Sequence, residues 1–280
     1  MEVLTPEQAT HEAYFSKSGR YFVDNYSRAD LEPRSVLRDN KGKVIMELAS
    51  PDLTRLYETG WKMPEPFTVK AADGHTDLYG FMWKPFDFDS TRRYPIISYV
   101  YPGPQTEAIP LEFSVTAAYN VGLAQIGFVV VTFGHRGGSP MRDKWYHTFG
   151  YNNLRDYPLA DDKCGIEQLA DRFSFIDKSK VGIFGHSGGG FMSTAALCTY
   201  PDFYTAAVSS AGNHDNNIYN QWWGETHHGV REVKSFEKKT VKDSITGKDT
   251  TVSVEKIKFE TKIPTNIELA KNLKGYLMLV

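Results

Sequence analysis

The sequence predicts an α/β fold built on a doubly wound, mostly parallel sheet. Two observations carry that prediction. Short apolar runs such as Ile126-Gly-Phe-Val-Val-Val-Thr-Phe133 recur along the second half of the chain, most of them bounded by glycine or proline. Between them lie stretches with helical character, and continuous buried strands alternating with helices are what a parallel sheet covered on both faces needs.

The N-terminal residues 1–60 have a different character. Residues 11–27 hold two aromatic-rich runs around a Ser-Gly turn, and residues 35–48 hold a second pair around Asn40-Lys-Gly42. Both read as hairpins. Isolated hairpins are marginal in water, so these strands read as part of something larger. Pro64, Pro66 and the polar segment 72–77 then punctuate the chain. Strands are expected at 76–85, 94–104, 126–133, 180–187, 205–212 and 274–280, with helices at roughly 111–124, 153–171, 189–200 and 265–273. Residues 231–262, rich in Lys, Glu, Thr and Val around Thr246-Gly-Lys-Asp249, read as an exposed hairpin inserted before the last helix. The expected organisation is therefore an antiparallel unit at 1–60 and an α/β unit at 61–280.

Composition narrows the function classes. The chain of 280 residues is 41% hydrophobic and 24% charged, an ordinary globular balance. A formal net charge of −2 offers no basic field for nucleic acid or anionic lipid. Cys164 and Cys198 have neither the number nor the spacing of a zinc site or a disulfide framework. No apolar run approaches the roughly 20 residues of a membrane span. The opening Met1-Glu-Val-Leu-Thr lacks the basic head and apolar run of a signal peptide.

The most informative segment is Val181-Gly-Ile-Phe-Gly-His-Ser187-Gly-Gly-Gly-Phe191. It matches G-x-S-x-G between an expected strand and an expected helix, the nucleophile elbow of α/β-hydrolases. The residues two before and two after the serine, Gly185 and Gly189, crowd each other on such a turn and must be small. The turn lifts the Ser187 hydroxyl clear of the sheet and puts the Gly188 N–H at a helix N-terminus, where it can stabilise an oxyanion. His186 adjoins the serine but diverges from it on an elbow, so it reads as a packing or rim residue.

Four motifs, taken in order, resemble the catalytic domain of the prolyl oligopeptidase family, and most closely its dipeptidyl peptidase IV branch. They are Tyr99-Val-Tyr101-Pro-Gly-Pro104, Phe133-Gly-His-Arg136-Gly-Gly138, Gly185-His-Ser187-Gly-Gly189, and Gly212-Asn-His-Asp215 with Tyr219 and Trp222-Trp223-Gly-Glu225. A weaker fifth match runs from Pro264 to Gly275. The resemblance spans about Gly60 to Val280. In that family a β-propeller precedes the hydrolase, and residues 1–60 fit the remnant of its last blade.

The resemblance implies a serine-type peptidase that cleaves near peptide N-termini after Pro or Ala through an acyl-enzyme on Ser187. Tyr101 would lend its hydroxyl, and Gly188 its N–H, to the oxyanion. Tyr219, Trp222 and Trp223 would line the pocket for the residue before the scissile bond, and Arg136 would serve that region, more as a buttress than as a catalytic group. Where the branch commonly has tyrosine after the nucleophile, this chain has Gly188, which removes an aromatic wall and puts strict proline specificity in doubt. The family's aspartate and histidine follow the serine beyond the strand expected at Tyr276–Val280. They would lie past residue 280, so an incomplete polypeptide, truncated at its C-terminal end and inactive alone, is the expectation. His214, Asp215, His227 and His228 are the local substitutes the chain offers, with Asp215 foremost.

No cofactor or metal is expected for acyl transfer by serine. The expected partner is a peptide substrate, and family members often dimerise through the hydrolase domain, an expectation for the full-length protein. Resemblance points to a periplasmic or secreted protein whose signal peptide lies upstream, and the bare N-terminus to a cytoplasmic one. Two other readings stay open: an esterase or acyl-peptide hydrolase on the same fold, and a non-catalytic binding module that kept the elbow. An open sheet edge at Tyr276–Val280 and unaccompanied propeller strands predict poor solubility.

Overall fold

The computed structural model describes residues 2–104, 106–242, 244–245 and 247–280. Thr246 and Asp243, near the turn of the expected inserted hairpin, lie outside the described residues.

The chain opens with four strands, β1 (Thr10–Phe15), β2 (Tyr21–Arg28), β3 (Leu31–Asp39) and β4 (Val44–Ala49), paired antiparallel in that order. The two expected hairpins are therefore neighbours in one meander of the kind that makes a propeller blade. Its interior holds a buried ion cluster. The Arg38 guanidinium donates to Asp24 at 2.8 Å and to Glu7 at 2.7 Å, while His11 lies 2.9 Å from the same Asp24. Phe15, Ile45, Met46 and Leu48 stay in water. A short helix, α1 (Thr54–Glu58), links this sheet to the next.

The second sheet has seven strands. They are β5 (Glu65–Lys70), β6 (Asp77–Trp83), β7 (Tyr94–Tyr99), β8 (Val129–Phe133), β9 (Ile176–His186), β10 (Tyr204–Ser210) and the last strand (Tyr276–Leu279). That last strand lies beside β10, followed by β9, β7, β8, β6 and β5. All pairings are parallel except those of β6 with β8 and with β5. This is the α/β-hydrolase architecture. β5 was not expected, because Pro64 and Pro66 read as punctuation. It is an edge strand, where a proline without an N–H is tolerated.

Helix α2 (Asn120–Gln125) follows β7, α3 (Lys144–Thr148) and α4 (Leu159–Arg172) follow β8, and α5 (Gly188–Thr199) follows β9. Leu159, Ile166, Leu169, Met192, Ala195 and Ala196 pack on Ile96, Val129, Val131 and Val181, forming the main core. On the other face Ala124 joins Phe81, Trp83 and Val130. After β10 come α6 (Gln221–His227), the two-stranded ribbon β11 (Arg231–Lys242) and β12 (Asp249–Glu260), a 3-10 turn (Ile267–Asn272), and the last strand, β13. Among the described residues no helix is long and apolar enough to cross a membrane.

Three expected helices are shorter than their patterns. The helix expected at 111–124 forms only as Asn120–Gln125, because Ala117 and Ala118 take positive φ, 44° and 56°, and break the run. The stretch 153–171 becomes helical only after Pro158, which occupies the N-cap position of α4. The stretch 265–273 closes as a 3-10 turn.

The strand order places the site. β8 lies on one side of β7 and β9 on the other, so the winding reverses at β7. Crevices at such reversals, beyond the C-terminal ends of the strands, are where α/β sheets bind ligands.

Candidate active site

Ser187 joins β9 to α5 with φ 54° and ψ −117°, a backbone conformation that L-residues rarely adopt. It stands at the N-cap of α5, yet its side chain makes no capping bond. The turn is held from both sides: the Ser187 N–H donates to the Ser210 carbonyl at 2.8 Å, and the Phe191 N–H donates to the Ser187 carbonyl at 2.9 Å.

Gly185 and Gly189, two residues either side of the serine, are there because nothing larger fits. A Cβ at Gly189 would come within 2.1 Å of the Val100 carbonyl oxygen, and one at Gly185 would meet that oxygen at 2.3 Å and the Gly189 Cα at 2.6 Å. The end of β7 is thus pressed against the elbow. Gly188 differs, since a Cβ there would enter open space. Its N–H is one of the first-turn donors that a helix leaves without an intrahelical acceptor.

Tyr101, Ser187, Gly188, Tyr219 and Trp223 line one cavity of about 290 Å³. Its walls also include Leu154, Arg155, Tyr157 and Met192, which no sequence motif marks, together with Phe191 from the elbow segment and Asn213 from the fourth motif. Tyr219 meets Trp223 edge to face, with ring centroids 5.8 Å apart. Trp223 in turn packs on Leu154, Tyr157 and Ile263. The Arg155 guanidinium is tied to Asp156 at 2.6 Å and to the Thr265 carbonyl at 2.7 Å, which brings the segment before β13 against this wall.

Trp222 and Arg136 lie outside the cavity lining. Trp222 is 67% exposed. Arg136 binds Asp161 at 2.7 Å and Asp73 at 3.0 Å, with its guanidinium 4.1 Å from the Phe149 ring centroid. Hydrogen bonding to Asp161 raises its pKa further. These contacts give Arg136 the position of a buttress between the turn after β8 and the start of α4.

The described residues lining the cavity include no histidine and no carboxylate. His186 is exposed, and its Nδ1 lies 3.0 Å from the Ser210 hydroxyl. His214 pairs with the Asn266 side chain at 3.0 Å, and Asp215 accepts from the Asn217 backbone N–H at 2.9 Å. His228 is fully buried, and its Nδ1 faces the Leu154 N–H at 3.4 Å. Burial lowers the pKa values of His214, His227 and His228.

These features put a serine in a rarely adopted backbone conformation at the end of β9, beside an aromatic-lined cavity near the winding reversal of an α/β-hydrolase fold. Residues 113–245 match the model of the prolyl oligopeptidase family. The chain is 34% identical to human dipeptidyl peptidase 8 over 224 residues, covering 74% of this chain and 24% of that protein. It is similar in structure to a putative dipeptidyl aminopeptidase IV from Bacteroides ovatus, with a TM-score of 0.77 and 28% identity over 98% of this chain and 35% of the other. Dipeptidyl peptidase 4 of Porphyromonas gingivalis shares the fold with a TM-score of 0.75 at 23% identity, over 99% of this chain and 36% of the other. The chain belongs to the prolyl oligopeptidase family, in the part of it that resembles dipeptidyl peptidase IV. It spans about a quarter of the length of the human relative.

Proposed function

We propose that this chain forms the acylation site of a serine peptidase of the dipeptidyl peptidase IV type, as the α/β unit 61–280 behind a propeller-like unit 1–60. The observation that carries the reading is the Ser187 backbone at φ 54°, on an elbow whose glycines are packed against the end of β7. Ser187 attacks the scissile carbonyl and forms the acyl-enzyme. The Gly188 N–H and the Tyr101 hydroxyl hold the oxyanion, one such donor being worth about 3–4 kcal/mol of barrier. Tyr219 and Trp223 offer ring faces to a Pro or Ala side chain before the scissile bond, at a peptide N-terminus. A homodimer built through the hydrolase unit belongs to the same reading.

Among the described residues, no histidine or carboxylate lines the cavity. We infer that the histidine and its orienting acid are supplied by sequence outside these 280 residues. The polypeptide alone would then acylate slower than the armed site by about 10⁴ to 10⁶. The expected result is no rapid labelling of Ser187 by a fluorophosphonate in this polypeptide, and labelling in the full-length protein. Fast labelling of the polypeptide alone would contradict it. The open space at Gly188 favours a second reading, an esterase or acyl-peptide hydrolase with a wider acyl pocket. Comparing X-Pro and X-Ala anilides with acyl esters on the full-length protein separates the two.

A further inference from the structure

The turn Phe133-Gly-His-Arg-Gly-Gly138 does not reach the cavity, but it seats a residue that does. The Tyr157 ring fills the space above two glycines: a Cβ at Gly137 would come within 2.5 Å of it, and one at Gly150 within 3.1 Å. Gly137 has φ +92° and donates its N–H to the Tyr146 carbonyl at 2.6 Å, which fixes one side of the seat. Arg136 fixes the other by binding Asp161, in the first turn of α4 just after Tyr157. The Tyr157 side chain is therefore held before any ligand arrives.

Its hydroxyl donates to the carbonyl of Pro102, one residue after Tyr101. That segment has little else to hold it. Pro102 and Pro104 have no N–H to donate. Among the described residues, its backbone is tied by the Val100 N–H to the Phe184 carbonyl at 2.9 Å and by the Thr106 N–H to the Gly103 carbonyl at 3.0 Å. Tyr157 bridges the gap between those two bonds. Burial, with the Glu107 charge adding to it, holds the Tyr157 phenol well above the usual tyrosine range, so it remains a donor at any working pH.

We propose that Tyr157 is a positioning residue for the acylation site: through the Pro102 carbonyl it fixes the backbone that carries Tyr101 beside Ser187, and its ring closes one wall of the cavity. The functional half rests on the peptidase reading of Tyr101; the structural half does not.

Tyr157→Phe keeps the ring and removes only the donor. The first test needs no catalysis. With 3-fluorotyrosine at position 101 of this polypeptide, the ¹⁹F resonance is expected to shift or split in Tyr157→Phe, while a label at Tyr79, on β6, does not move. An unmoved Tyr101 resonance overturns the proposal. The second test uses the full-length protein. Tyr157→Phe is expected to slow acylation by about 10- to 100-fold with KM little changed, as displacement of a site group does. That loss should vanish in a Tyr101→Phe background. Losses that multiply across the two variants, or a fall in Tm with the rate per folded enzyme intact, overturn the positioning role. If the unmodified full-length protein does not acylate, the peptidase reading fails, and the ¹⁹F result alone decides for or against Tyr157.

Discussion

Around Ser187, three glycines in the same motif do different work. Gly185 and Gly189 face a backbone oxygen at distances no Cβ tolerates, whereas Gly188 faces open space. The variants should therefore split. Gly189→Ala or Gly185→Ala must push Val100 away from the elbow, with a cost on the order of 1–3 kcal/mol for overpacking. Gly188→Ala adds a methyl at an open first-turn position and is expected to be neutral, or to stabilise by about 0.5–1 kcal/mol through lower unfolded-state entropy. Chemical denaturation of the three variants checks this, and equal losses at 188 and 189 would refute the crowding argument. Motif spacing in the sequence pointed to Ser187, Gly188, Gly185 and Gly189. It could not point to Tyr157 or Arg155. These reach the cavity from segments far from the elbow in sequence, and their residue types are common in any core.

Among the elements, the ribbon β11–β12 and the edge strand β13 are largely exposed. The ribbon pairs 12 residues with 12, yet nearly all of its side chains are exposed. Its ion pairs, Lys234 with Glu255 at 2.9 Å and Lys256 with Glu237 at 2.8 Å, are exposed and add little. At its base, Thr261 bonds the Gly229 carbonyl at 3.2 Å and Ile263 packs under Trp223. Replacing residues 233–258 by a short turn should therefore change the stability of the α/β core by no more than about 1 kcal/mol, read as the main thermal transition. β13 has Tyr276, Met278 and Leu279 largely exposed. Next to it Ile97, Phe184 and Val208 line an open apolar groove of about 690 Å³. This polypeptide is expected to self-associate with rising concentration, and Met278→Lys to reduce that in sedimentation velocity.

Across the molecule, one buried carboxylate ties three strands to a helix. Asp162 of α4 accepts from Ser98 of β7 at 2.7 Å and from Tyr204 of β10 at 2.7 Å, and lies 3.1 Å from the His135 ring nitrogen just after β8. Asp162→Ala strands all three partners without water, and a loss of about 3–5 kcal/mol is expected in denaturant unfolding.

Stability should also depend on pH. Burial lowers the folded pKa values of His214, His227 and His228 below the ordinary 6.5. Below pH 6.5 the unfolded chain takes up protons that the folded chain refuses, so unfolding becomes easier as pH falls from 6.5 toward the folded values. For Asp73, burial would raise the pKa, but hydrogen bonds from Thr76 and His75 and the Arg136 charge outweigh it and hold the carboxyl low. Its contribution is intact above the ordinary 3.8 and is lost only at more acid pH. A Tm that declines from pH 7 to 5, less steeply in His214→Gln, is the expected profile. A flat profile would contradict it.

The sequence by itself determined the α/β class, the strands of the parallel core and the elbow serine. Each of these rests on a local pattern: an apolar run, a glycine pair, a strand-to-helix boundary. Helix ends at 117–118 and 158, the antiparallel edge strand β5 and the composition of the cavity wall were decided only by tertiary structure. Positive φ at Ala117 and Ala118, a proline tolerated at a sheet edge, and the meeting of Tyr157 with Pro102 depend on what packs against them, and local sequence does not contain that neighbour.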